Sequence, residues 1–84
     1  MKSLCRAIIW SACFLELSSD DIVNPDSAVK ALEDIGSALQ DATEEEKEAF
    51  RRACSEEAFS LEKAGSGYAK TAEFIRGLPE SVGI

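Results

Sequence analysis

Eighty-four residues suffice for one domain, with a core that leaves little margin of stability. Sixteen Asp and Glu against nine Lys and Arg give a net charge of −7 with no His, a balance that repels polyanions and predicts neither direct nucleic-acid binding nor membrane association. With 45% apolar residues, four Phe and one Trp, the chain is too hydrophobic for disorder. It is expected to form a single all-α domain over residues 1–84, a compact bundle of about four helices with a short C-terminal tail.

The first seventeen residues are the most apolar part of the chain. At 100° per residue, Leu4, Ile8 and Leu15 form one stripe and Ala7, Trp10, Phe14 and Leu17 another, together covering about half of a helix. Lys2, Arg6 and Glu16 share the remaining arc. A strip that wide can touch two neighbours, so this helix is expected to be the hub of the bundle and to offer Trp10, Phe14 and Leu17 to a second copy or an obligate partner.

Lys2 and Arg6 before Ala7–Leu15 resemble the charged and apolar parts of a secretory signal, and Ser11-Ala12-Cys13 resembles the end of a lipoprotein cleavage box. Trp10, however, stands where such a box takes a small aliphatic residue, and the uncharged run falls far short of the ~20 residues of a membrane span. Cys5, Cys13 and Cys54 are odd in number and form no CxxC pair. Buried, reduced thiols in a cytoplasmic protein are the expectation.

The second segment is the most clearly punctuated. Asn24 reads as an N-cap, Pro25 occupies the first helical position where its missing N–H is no loss, and Asp26 complements the positive end of the dipole. From about Pro25 to Ala42, Ala28, Val29, Leu32, Ile35, Gly36 and Leu39 take one half of the wheel; Lys30, Glu33, Asp34, Ser37, Gln40 and Asp41 take the other.

Thr43-Glu44-Glu45-Glu46 fits a capping box and starts a third helix at Glu44. Its apolar stripe is Phe50, Ala53, Cys54, Ala58, Leu61 and Ala64, ending at Gly65-Ser66-Gly67. Ser66 is expected to cap a fourth helix from about Gly67 to Arg76, with Tyr68, Ala72 and Ile75 inward. Gly77 should stop it, and Leu78-Pro79 should open a tail whose Val82 and Ile84 pack back on the bundle.

Two residues of the third helix break its pattern. Phe59 points about 180° from Phe50, and Glu57 lies inside the apolar stripe. The favoured reading packs Phe59 against the fourth helix or the tail and pairs Glu57 with a Lys or Arg at the core edge; the alternative makes Phe59 a partner anchor and Glu57 a polar specificity element.

Candidate chemistry is sparse. Carboxylates are abundant but fall mostly on solvent faces, and the Ser and Thr residues have no His and no obvious Lys base beside them, so no enzymatic activity is expected. The acidic run Ser18–Asp26 lacks the ligand spacing, central Gly and terminal Glu of a calcium loop. Gly65-Ser66-Gly67 lacks the Lys and preceding strand of a phosphate loop. No cofactor or metal is expected.

Charge is lopsided. Residues 18–42 carry a net −5 and residues 43–64 a net −3, whereas the first seventeen carry +1 and the last twenty are neutral. Asp20, Asp21, Glu33, Asp34 and Asp41, with Phe59, are therefore the candidate contacts for a protein partner with a basic surface. The preferred expectation is a small acidic binding module, in its most concrete form an inhibitor of the immunity or antitoxin type covering a basic surface of a toxin. A self-associating structural or adaptor protein is the first alternative, and an acidic nucleic-acid mimic that blocks a DNA-binding or defence protein is the second.

Overall fold

The computed structural model describes all 84 residues and is a bundle of four helices: α1 (Lys2–Leu17), α2 (Pro25–Gln40), α3 (Glu44–Ala64) and α4 (Ala69–Ser81), with one 3₁₀ turn at Ser66–Tyr68. The middle helices begin where their capping residues dictate. Asn24 Oδ1 accepts the Ser27 N–H at 3.0 Å ahead of Pro25. Thr43 Oγ1 accepts the Glu46 N–H at 3.1 Å while the Glu46 carboxylate accepts the Thr43 N–H at 2.8 Å, closing the capping box. Gly65 ends α3 with φ 135°, a conformation that side-chain-bearing residues rarely adopt.

The last helix departs from its predicted bounds. α4 does not stop at Gly77 but continues through Pro79 to Ser81. Ala72, Ile75 and Leu78 lie at successive three-residue steps and are all buried, so ending the helix at Gly77 would withdraw Leu78 from the core. Burying a leucine is worth about 1.5 to 3 kcal/mol, more than the about 1 kcal/mol that a helical glycine costs. Pro79 cannot donate to the preceding turn, and the helix ends two residues later. Tyr68 is half exposed rather than inward, and neither the 3₁₀ turn nor α4 has a side-chain cap, so Ser66 does not play the expected part.

The tail folds back as predicted. Val82 and Ile84 pack on the core, Gln40 Nε2 donates to the Val82 carbonyl at 2.9 Å, and Arg51 Nη1 donates to the Ile84 carbonyl at 2.9 Å. Gly36 permits this approach, since a Cβ there would stand 3.3 Å from Val82 Cβ.

α1 meets all three other helices, and α3 and α4 form the most extensive pair. Phe50, Ile9, Ile75 and Cys54 are the largest fully enclosed side chains, and much of the remaining core is alanine and cysteine. The molecule measures 36 × 32 × 20 Å. Its shortest dimension is about two helix diameters, so every helix keeps one face in solvent.

Candidate functional site

α1 is inserted with an unexpected rotation. Its core line is Cys5, Ile9, Ala12 and Cys13, a narrow stripe lying beside the two large-residue stripes that the sequence favours. Leu4, Trp10, Phe14 and Leu17 remain 68, 40, 56 and 45% exposed, while Ile8 and Leu15 are half buried. Size decides this. The buried line of α3 includes Ala53, Cys54 and Ala58, and two small-residue faces pack closely enough to leave no room for an indole or phenyl ring between them.

The three thiols lie in this core, all free and buried. Burial pushes the Cys13 thiol up to about 11. It pushes Cys54 up to about 12, with Cys5 and Cys13 close enough to add to the effect. At neutral pH Cys13 and Cys54 therefore carry no thiolate and act as small apolar side chains.

Glu57 fastens the seam between α1 and α3. One carboxylate oxygen meets Arg6 Nε at 2.9 Å, and the other accepts the Trp10 indole N–H at 3.1 Å. The Glu57 side chain is 15% exposed, so water competes weakly for these contacts. Glu57 thus pairs with an arginine at the core edge and also fixes Trp10, leaving part of its ring in solvent.

On the far side of Trp10, α1 carries no charge. Ala7, Trp10, Ser11, Phe14 and Leu15 line a shallow depression there. Ala7 and Ser11 also line a deeper groove between α1 and α2, of about 570 Å³. Leu4 and Ile8 form one wall, Ile35, Ala38 and Leu39 the other, and Phe50 contributes from α3; ten of the thirteen lining residues are hydrophobic. Because Ala7 and Ser11 make only a low ridge, groove and depression are one continuous apolar surface. Asp41 and Glu46 are the charged residues of the groove lining, and no Lys or Arg belongs to it.

The acidic candidates are all exposed but do not converge. Asp20 and Asp21 lie in the α1–α2 loop, Glu33 and Asp34 in mid-helix, and Asp41 caps the far end of α2, so the set is strung along a helix about 24 Å long. Asp34 is paired with Lys30 at 2.9 Å, which raises the lysine's affinity for its proton. A hydrogen bond from the Ser19 hydroxyl and one from its own backbone hold the Asp21 carboxyl below the usual range.

Phe59 departs from the favoured reading: it stands 58% exposed instead of packed away, with Lys63 Nζ 5.3 Å from its ring centroid. It lies about 200° round α3 from Glu57, on another side of the helix from the α1 seam. The apolar α1–α2 groove was missed in the sequence. Its signal on α1 is the row Leu4, Ala7, Ile8 and Ser11 at helical spacing.

No helix is long and apolar enough to cross a membrane, and no group of three or more Cys, Asp or Glu is arranged to hold a metal ion. No protein-family model, curated protein or solved structure matches the chain.

Proposed function

We propose that the protein is a non-catalytic protein-binding module whose working surface is the outward side of α1. The observation that carries this reading is the concentration of Leu4, Trp10, Phe14 and Leu17 in solvent on one helix of so small a chain. Large apolar side chains gathered on one face mark an interaction site more often than isolated ones do, and aromatic anchors held rigid beforehand bind at low entropic cost. The Glu57 contacts hold Trp10 in that way.

The test is a photoreactive amino acid placed at Ala7 or Ser11 in the native host, with Ser60 on the exposed side of α3 as control. One discrete adduct from the α1 positions, absent from Ser60 and abolished by Phe14→Glu, supports the reading. Equal adducts from all three positions, or none from α1, overturn it.

A second reading rests on a different observation, the exposure of Asp20, Asp21, Glu33 and Asp41 along α2 and the loop before it. In that reading the acidic side covers a basic surface of a toxin-like enzyme. Reversing Glu33, Asp34 and Asp41 to Lys then slows association sharply at low salt and little at high salt, because exposed charge is screened over about 10 Å at 0.1 M.

A further inference from the structure

We infer that the groove between α1 and α2 receives a short amphipathic helix of a partner protein, with Lys or Arg beside its apolar anchors. The inference rests on the proposed use of α1 for binding and names the occupant.

Length favours a helix. The groove follows α1 from Leu4 to Ser11 and runs from Ile35 of α2 past its end to Ala42, seven residue steps and about 10 Å in each case, which is the reach of anchors at positions i, i+3 or i+4 and i+7 of a third helix. The two walls are helices already, so a third lies against them by ordinary ridge-and-groove packing.

Charge selects the flanking residues. Asp41 and Glu46 border the groove, no Lys or Arg side chain lines it, and Met1 at its end brings only the chain's α-amino group. α2 ends beside it with no basic residue in its last turn and with Asp41 as its C-cap, so the negative end of the helix dipole and a carboxylate lie together. The arrangement is unfavourable in the free protein and is relieved by a lysine or arginine brought by the occupant.

A second copy is a poor source of that cation. Five of its nine Lys and Arg, namely Arg6, Lys30, Lys47, Arg51 and Arg76, are already in ion pairs, and each copy carries −7. Joining two copies at this rim therefore adds repulsion.

The experiment uses the full chain and two labelled helical peptides sharing one leucine face, one flanked by lysines and the other by glutamates, with binding read by fluorescence anisotropy. The lysine peptide is expected to bind roughly tenfold tighter or more at low salt, with the gap narrowing at high salt. Asp41→Lys should narrow it as well. Ala38→Trp, which fills the groove from an exposed position on α2, should abolish binding while the helical circular dichroism stays unchanged. Equal affinity for both peptides, no binding of the lysine peptide, or binding indifferent to Ala38→Trp overturns the inference. A dimer in sedimentation that Ala38→Trp dissolves overturns it too, in favour of a second copy. Because Phe14 lies outside this groove, cross-linking from Ala7 and Ser11 that persists while the peptide fails leaves the α1 reading standing and removes only this occupant.

Discussion

α1 and α3 pack against each other in one core, yet they treat the rules of helix construction in opposite ways. α3 has a reciprocal capping box, three glutamates in its first turn, Lys63 in its last, and its bulkiest core side chain, Phe50, fully enclosed. α1 has no side-chain cap, no acidic residue in its first turn, no basic residue in its last, and its aromatic residues in solvent. A helix that satisfies local and tertiary demands together is specified by folding. One that breaks several of those rules while exposing its aromatic residues answers to a further demand, and binding is the one its surface fits.

The largest test of this contrast compares two phenylalanines. Phe50→Ala should cost about 3 to 5 kcal/mol, because it opens a cavity at the centre of the bundle. Phe14→Ala should stay within about 1 kcal/mol, because its ring already meets water. Urea denaturation of the two variants measures both. Comparable losses would mean that α1 serves the core as α3 does, and the contrast would collapse.

The difference between the two helices also explains what was legible in the sequence. Asn24-Pro25 and Thr43 to Glu46 could be read because capping is settled within four residues, and the structure keeps both. The rotation of α1 could not: Trp10, Phe14 and Leu17 were legible as an outward stripe, but the core line falls in the arc of Lys2, Arg6 and Glu16, set by how closely Ala12 and Cys13 fit the alanines of another helix. α4 passed Gly77 for a related reason: local propensity pointed to a stop, and burial of Leu78 outweighed it. Among the candidate contacts, the exposure of the acidic residues followed from the wheel of α2, but their dispersal along it depends on helix length and packing. Phe59 was visible as an anomaly, and its solvent position is a tertiary fact.

The next effect lies at the seam itself and depends on pH. Native Cys13 and Cys54 hold their protons up to about 11 and about 12 against an ordinary value of 9.0, so folding favours the protonated thiols. Their contribution is complete below pH 9 and is lost as pH rises through the native values. Stability should therefore fall above pH 9, and a Cys13→Ala, Cys54→Ala variant should lose less between pH 8 and pH 11 than the parent chain. At neutral pH an aromatic disulfide reagent should react only as fast as the protein opens. Rapid labelling of the native state would contradict this.

A smaller effect separates the seam's internal fastening from its outer surface. Glu57→Ala removes the acceptor of the Trp10 indole and the partner of Arg6. Both donors can reach water, so the loss of stability should be about 1 kcal/mol. Trp10 emission should shift as the ring gains freedom, and any partner bound through α1 should dissociate faster. Phe59→Ala, on the exposed side of α3, should alter none of these; a matching effect from Phe59 would place the binding surface there instead.

The smallest expected change inverts the contrast at the helix ends. Glu16 lies exposed in the last turn of α1, where its charge opposes the helix dipole, whereas Lys63 in the last turn of α3 complements it. Glu16→Lys should therefore raise stability by about 0.3 to 1 kcal/mol, and Lys63→Glu should lower it by a similar amount. Lys63→Glu also removes the ammonium over the Phe59 ring, which adds to its loss. Because such effects are screened, both differences should shrink in 1 M salt. Thermal melts at low and high ionic strength resolve the pair. If Glu16→Lys is destabilising at low salt, its carboxylate has a partner that offsets the dipole, and the end of α1 is better fitted to the fold than its sequence implies.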